Sequence, residues 1–277
     1  MYPNICQNNL DKSRVDWLSY CDWGKYTPLL YVSTTGGLCN RIFGIASCLP
    51  KAFVEKRRIK VYWPLNGEDG TSVLWSELFE DPLDMFSEWD LYWIMDIMHD
   101  VKWYHKIEDA YKQVDSNPCV LIKSYYDYFS KKPEGPFEMS SSLEWMNSLK
   151  VKPHILDKVH NFGLSPNTLG VHLRIKEESM SDDLFNENPV NEQLFETIQA
   201  WPDRVLVVSN SHEAKRQLVS KFGDKIVQQN DLDHSRSSGA VQSAMIDLIL
   251  LSMCSKRVGN SASTFFSLAN IWSQRKF

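Results

Sequence analysis

Hydrophobic residues near the start of the chain follow first a strand pattern and then a helical one. Residues 29–33 form an apolar run typical of a strand buried on both faces, and residues 59–63 form a second. Between these runs, a glycine loop precedes apolar positions at helical spacing, which are Ile42, Ile45, Ala46, Leu49 and Phe53. We therefore predict a βαβ unit whose helix is kinked or divided by Pro50.

The second half of the chain shows the same alternation more clearly. Strand patterns cover residues 169–175, 205–209, 226–227 and 257–259. Helical patterns cover residues 191–200 and 240–254, a helix that ends near Phe222 and a last helix that opens at Ser261. We predict that Asn210, with Glu213 three residues later, caps the helix that ends near Phe222. Strands that alternate with helices predict a parallel sheet wrapped by helices.

These two units together predict an α/β fold with two Rossmann-like domains. We place the N-terminal domain at residues 1–140, with an extension at residues 1–25, and the C-terminal domain at residues 141–277. The parallel sheets are expected to face a central cleft. Because open α/β sheets bind ligands outside the carboxyl ends of their strands, the residues just after each strand are the candidates for function.

Composition excludes several classes of protein. The chain has 277 residues, of which 43% are hydrophobic and 23% charged, so it is not collagen-like, of low complexity or mostly disordered. Its net charge of −5 argues against a nucleic-acid binder driven by overall charge. Neither a signal peptide nor an apolar stretch of membrane-spanning length is apparent, so we expect a cytoplasmic protein. The six cysteines lack metal-ligand spacing, which predicts free thiols and no metal.

The first candidate spot is the loop after the first strand. Gly36 and Gly37 let backbone amides approach a ligand, and the helix start behind them favours anionic oxygens. The loop, continued by Asn40 and Arg41, matches neither the dinucleotide fingerprint nor a P-loop. A tight strand-to-helix turn without a ligand explains the glycines equally well.

The second spot is the end of the strand at residues 169–175. His172 and Arg174 lie on the same face of that strand, in an otherwise apolar run. Such a pair is costly there unless it meets an anion, and an arginine fork suits a diphosphate. The alternative is a surface-facing strand with Arg174 paired to a neighbouring carboxylate.

Two further spots lie in the C-terminal helices. Asp247 is the one charged residue of an apolar helix, and it could read a guanine edge or pair with a protein cation. Ser263 and Thr264, followed by Phe265, open a helix that could bind phosphate through its free amides. Plain N-capping by a hydroxyl is the alternative at this helix start.

Taken together and in this order, the four spots resemble motifs of the fucosyltransferase superfamily of GT-B glycosyltransferases, which includes protein O-fucosyltransferases and α-1,6- and α-1,2-fucosyltransferases. The resembling segments are residues 36–41, 170–174, 244–248 and 259–265, within a resemblance that extends over residues 29–272. The resemblance implies a GT-B fold and a set of donor-binding residues: Gly36, Gly37, Asn40, Arg41, His172, Arg174, Asp247, Ser263, Thr264 and Phe265. The chain departs from the motifs at Cys39, where a third glycine is usual, and at Lys176 and Glu177.

The function implied by the resemblance is metal-independent transfer of a sugar, with GDP-fucose as the first choice of donor, to a hydroxyl of a glycan. Arg174 would promote departure of the nucleotide, and inversion would require a base, for which Glu68, Asp69 and Glu177 are candidates. No cofactor is expected beyond the nucleotide sugar. The alternatives are a UDP-sugar donor such as UDP-xylose and a non-catalytic nucleotide-sugar or glycan-binding protein. A nicotinamide-dependent oxidoreductase fits poorly because the GxGxxG fingerprint is missing.

Overall fold

The N-terminal half of the protein contains a parallel sheet. A computed structural model describes residues 28–65, 72–86, 101–117, 119–124, 140–175, 190–229 and 237–277. Within them, the first sheet has the strand order β3-β2-β1-β5-β4, and every neighbouring pair is parallel. Its strands are β1 (Leu29–Thr34), β2 (Arg58–Tyr62), β3 (Met85–Phe86), β4 (Val101–Tyr104) and β5 (Cys119–Ser124).

The C-terminal half contains a second parallel sheet with the strand order β8-β7-β6-β9. Its strands are β6 (Leu169–Leu173), β7 (Val205–Ser209), β8 (Ile226–Val227) and β9 (Lys256–Gly259). In both sheets the strand order reverses beside the first strand, between β1 and β5 and between β6 and β9. The loops after β1, β6 and β9 therefore lie at the two switch points where ligands of such sheets bind.

Helices connect the strands of both sheets. Among the described residues the longest are α1 (Leu38–Val54), α5 (Pro153–Phe162), α7 (His212–Phe222) and α8 (Ser238–Met253). The shorter ones are α2 (Trp75–Leu78), α3 (Ile107–Ala110), α4 (Ser140–Ser148), α6 (Glu192–Ala200) and α9 (Thr264–Trp272). The predicted α/β fold is therefore confirmed.

Pro50 lies inside α1, which continues to Val54. Of the two predicted effects of Pro50, division of the helix is therefore wrong, and a kink stays a prediction. A proline has no N–H, and the carbonyl of Ala46 one turn earlier therefore lacks its helical donor. The buried hydroxyl of Ser142, on α4, donates to that carbonyl at 2.6 Å. Tertiary packing thus replaces the hydrogen bond that the proline removes.

One hydrophobic core extends across both halves of the chain. It contains Leu30 and Val32 of β1 together with Leu206 of β7 and Leu250 of α8. Helix α9, near the end of the chain, packs against α1 and α4, and its fully buried Trp272 donates an indole N–H to the carbonyl of Met146 at 2.9 Å. The division at residues 140/141 remains a prediction, because the packing is continuous across it.

The four described cysteines, Cys39, Cys48, Cys119 and Cys254, are buried free thiols. Burial raises the pKa of Cys39 and Cys48 far above the ordinary value and that of Cys254 to about 12. These thiols therefore pack as apolar groups. Of the helices in the described segments, none has the length and apolar character needed to cross a membrane.

Candidate active site

The turn after β1 is tighter than predicted. Helix α1 begins at Leu38, so Asn40 and Arg41 belong to its first turn and not to a loop. Gly36 has a φ of +79°, a left-handed conformation that favours glycine, and a Cβ there would lie 3.0 Å from Nδ2 of Asn40. Gly37 is the N-cap of α1. The glycines bring the helix start directly to the carboxyl end of β1.

Arg41 is fully buried beneath this turn. Its guanidinium donates to the carbonyls of Gly36 and Pro64, each at 2.8 Å, and lies 4.9 Å from the ring centre of Trp63. These contacts brace the glycine turn against the end of β2. The role of Arg41 in donor binding stays a prediction, and its recorded contacts are with the protein.

His172 occupies the carboxyl end of β6 and is buried. Its ring stacks on Phe265 at 5.2 Å and on Phe266 at 5.9 Å between centroids. Burial, assisted by the charge of Arg174, lowers the pKa of His172 to about 3, so the ring is neutral at physiological pH. Among the described residues, its buried Nδ1 has no hydrogen-bond partner. A neutral ring with an unused nitrogen can bond to a ligand.

Helix α9 begins directly beside His172. A Cβ on Gly259, the last residue of β9, would lie 2.9 Å from the ring of Phe266 and 3.0 Å from Cβ of His172. Only glycine allows this close approach. The hydroxyl of Ser263, the N-cap, makes no capping hydrogen bond, so the plain-capping interpretation of this residue is wrong. Phosphate binding by the free amides of this helix start stays a prediction.

A hydrogen bond joins the two switch points. The hydroxyl of Thr264, at the start of α9, donates to Oδ1 of Asn40, at the start of α1, at 2.6 Å. Phe265, the next residue, carries the ring that His172 stacks on. Three of the four predicted spots are thus brought together. The strand predicted at residues 169–175 ends at Leu173, so Arg174 lies just beyond β6, two residues after His172.

Asp247 is buried in α8 and is held by protein groups. Its Oδ1 accepts a hydrogen bond from the amide of Gln229 at 2.6 Å. Burial raises the pKa of Asp247 to about 6, and the positive charge of Lys215 and the bond from Gln229 oppose that rise. Nζ of Lys215 is buried and has no hydrogen-bond partner among the described residues. The alternative of a nearby protein cation is therefore supported, and guanine reading stays a prediction.

Sequence reasoning missed the role of Asn210. The predicted cap is wrong because the hydroxyl of Ser211 caps α7, accepting from the amide of Ala214 at 3.2 Å. The side chain of Asn210 instead bonds to both backbone groups of Ile175, just beyond β6. The only signal in the sequence was a polar residue directly after a buried strand.

The candidates for the base, Glu68, Asp69 and Glu177, lie outside the described residues, as does Lys176. In the part of the chain that the structure covers, no group of three or more His, Cys, Asp or Glu side chains could hold a metal ion.

Comparison with known proteins identifies the fold. No family model matches the sequence, and no curated protein matches it. Solved structures do. Fucosyltransferase NodZ from Bradyrhizobium has a TM-score of 0.64 at 12% identity, covering 89% of this chain and 93% of that one. Arabidopsis thaliana FUT1, solved in complex with GDP, has a TM-score of 0.62 at 14% identity, covering 95% of this chain and 73% of that one.

A third solved structure is similar over most of the chain. POFUT1 in complex with GDP has a TM-score of 0.52 at 11% identity, covering 89% of this chain and 95% of that one. Identities this low show a shared fold, and that fold accommodates different functions. With its two parallel sheets and their facing switch points, the chain has the GT-B fold of the fucosyltransferases.

Proposed function

We propose that the protein is a glycosyltransferase that moves a sugar from a nucleoside diphosphate sugar to a hydroxyl of a glycan, with GDP-fucose as the first choice of donor. The observation that carries this proposal is the hydrogen bond between Thr264 and Asn40. It brings the start of α9, where we propose that phosphate binds, to the glycine turn of the first sheet. Support for the donor class comes from the fold, since NodZ has been soaked with GDP-fucose and POFUT1 solved with GDP.

The chemistry requires positive charge at the diphosphate. The bond between the anomeric carbon and the diphosphate oxygen breaks, and its electron pair leaves on the nucleotide. The acceptor oxygen forms the new bond and loses its proton to a base or to solvent. In our proposal Arg174 and the amides at the start of α9 stabilise the developing negative charge. Neutral His172 directs its free nitrogen at the donor, and Asn40 faces the sugar.

Inversion at the anomeric carbon is part of the proposal and needs a group that accepts the acceptor proton. Glu68, Asp69 and Glu177 remain the candidates, with Asp69 first because it follows β2, a neighbour of β1. The alternative that residues 66–70 form a solvated acidic turn remains open for Asp69.

Thermal-shift screening against GDP, UDP, ADP and their sugars tests the donor class. A ligand that binds only the folded protein raises its melting temperature, and about 100 Kd of ligand adds about 2.7 kcal/mol of stability. We expect GDP to give the largest shift. A preference for UDP would support the UDP-xylose alternative and remove guanine reading from Asp247, and no shift with any nucleotide would contradict the proposal.

The Asp247→Asn variant tests the guanine-reading role separately. An amide cannot accept both N–H groups of a guanine edge, so the shift with GDP should fall while a shift with inorganic pyrophosphate persists. Gln217→Ala, which removes an exposed amide from α7, is the matched control. If release of nucleotide from GDP-fucose is absent although GDP binds, the protein is the non-catalytic binding protein of the second alternative.

A further inference from the structure

The side chain of Asn210 forms a two-point clamp on the backbone just beyond β6. Its Oδ1 accepts from the amide of Ile175 at 2.9 Å, and its Nδ2 donates to the carbonyl of the same residue at 2.9 Å. A carboxamide that bonds both groups of one residue reproduces the pattern of a neighbouring peptide unit. The regular ladder of backbone hydrogen bonds between β6 and β7 ends at the pair Leu173 and Ser209. The side chain of Asn210 continues this ladder by one residue on the β6 side.

Arg174 is the residue held between the ladder and the clamp. Its predecessor Leu173 is the last paired residue of β6, and its successor Ile175 is the clamped one. Leu173 and Ile175 also pack in the same hydrophobic cluster on one face of the sheet. Since strand side chains alternate, Arg174 shares the opposite face with His172, the face that carries Phe265.

Asn210 is itself held in place on both sides. It lies between Ser209, the last residue of β7, and Ser211, the N-cap of α7. The amide of Ser211 donates to the hydroxyl of Ser209 at 3.0 Å, which fixes the turn. The clamp therefore comes from a rigid strand-to-helix junction, the kind of support that can hold a functional side chain to a fraction of an ångström.

We infer that Asn210 is a positioning residue that sets the direction of the Arg174 guanidinium toward the diphosphate of the donor. This inference rests on the proposed function, in which Arg174 binds the diphosphate of the donor. The clamp needs a donor and an acceptor on one short side chain, and asparagine meets that need. Aspartate would keep the acceptor for the Ile175 amide and set an oxygen against the Ile175 carbonyl.

The test measures hydrolysis of the donor that gives the larger thermal shift, GDP-fucose or UDP-xylose; water takes the sugar and the nucleotide is released. It compares the wild type with Asn210→Ala, Asn210→Asp, Arg174→Ala and the double variant Asn210→Ala/Arg174→Ala. We expect Asn210→Ala to lower kcat by about 10- to 100-fold with a smaller change in KM, since a misplacement of about 1 Å costs that much. The kcat of Asn210→Asp should lie between that of the wild type and that of Asn210→Ala. In the Arg174→Ala background the Asn210 substitution should have no further effect, because coupled residues are not additive.

Asn191→Ala is the matched control. It removes an asparagine whose Oδ1 accepts from the amide of Leu194 at 3.0 Å, at the start of α6. This variant should lose thermal stability and keep kcat. If Asn210→Ala fails to fold, Asn210→Asp, which retains the size and one hydrogen bond, replaces it in the cycle.

The outcomes separate the two claims. An active wild type that loses kcat in Arg174→Ala but not in Asn210→Ala overturns the inference alone. So does an Asn210 effect that persists undiminished in the Arg174→Ala background, because it would then act through another residue. A wild type that releases no nucleotide from either sugar donor overturns the proposed function, and the inference with it.

Discussion

Thr264 and Asn40 are 224 residues apart in the chain and share a hydrogen bond of 2.6 Å. Each lies in the first turn of a helix: α1 follows β1, the central strand of the first sheet, and α9 follows β9, an edge strand of the second. The contact therefore measures how closely the two halves of the candidate active site approach each other.

Replacing Thr264 by valine removes this hydrogen bond and retains the shape of the side chain. We expect a loss of about 1 kcal/mol of stability and a smaller thermal shift with GDP, because Asn40 loses its partner. Thr264→Ser, which keeps the hydroxyl, should restore most of the shift.

Ser238→Ala is the control for this prediction. Ser238 donates its hydroxyl to Glu77 at 2.9 Å, a second hydroxyl bond between the two halves of the chain. The Ser238→Ala variant should lose about as much stability as Thr264→Val and keep the thermal shift with GDP. Equal GDP shifts in Thr264→Val and Ser238→Ala would show that the Asn40 contact is structural only.

Arg174→Ala should lower nucleotide release by about 10²- to 10³-fold, the usual effect of removing one donor that stabilises transition-state charge. Arg174→Lys keeps the charge without the fork and should recover only part of the loss. Release by the wild type should persist in EDTA, because protein groups supply the positive charge in this scheme.

Arg216→Ala provides the comparison for Arg174. Arg216 is exposed on α7 and pairs with Glu213 at 2.6 Å, a surface contact of little energetic value. Its loss should leave release unchanged. Inhibition of the wild type by EDTA that added Mg²⁺ reverses would contradict the metal-independent scheme.

His172 makes folding depend on pH. The folded protein keeps this ring neutral down to about pH 3, whereas the unfolded chain takes up a proton near pH 6.5. The stability that neutral His172 contributes is therefore complete above pH 6.5 and is lost progressively as the pH falls toward 3.

His172→Phe removes this titration and retains a ring to stack on Phe265. Relative to the wild type, we expect it to gain about 2 kcal/mol between pH 7 and pH 5, measured by urea denaturation at both values. His172→Gln should show the same gain, whatever its baseline stability. Parallel pH profiles for wild type and both variants would rule out a buried neutral histidine.

Gly259→Ala tests the close approach of β9 and α9. The added methyl would meet the Phe266 ring at 2.9 Å, so we expect a loss of about 1–3 kcal/mol and weaker GDP binding. Gly239→Ala, on α8, meets nothing within 4 Å and should leave stability the same or raise it by up to about 1 kcal/mol. Similar melting temperatures for the two variants would contradict this packing argument.

Much of the fold could be predicted because its strands are short apolar runs bounded by polar residues. Strand β7 was predicted at residues 205–209 and is found there, since a fully buried strand needs an unbroken apolar run. The expected division of α1 at Pro50 is wrong because the missing hydrogen bond is replaced by Ser142, 92 residues away in the chain. Predictions from local sequence patterns do not include hydrogen-bond partners that are so far apart in the chain.

In the candidate site, too, residue types could be predicted from the sequence but contacts between distant residues could not. The chemistry of His172, Thr264 and Asn40 could be read as residue types after strands, but their mutual contacts depend on packing between the sheets. Arg41 was expected at the donor, and only the structure records its contacts with Gly36 and Pro64. The cap predicted for Asn210 is wrong because a side chain between a strand and a helix can bond either to the helix start or to the neighbouring strand.

The core shared by α1, α4 and α9 has a consequence for how the protein responds to heat and to ligands. Because α9 packs against α1 and against α4, where its buried Trp272 bonds to Met146, we expect the two halves of the chain to unfold together. Calorimetry should record one cooperative transition. The nucleotide would then meet a groove already assembled, and little of its binding energy would be consumed in ordering the chain.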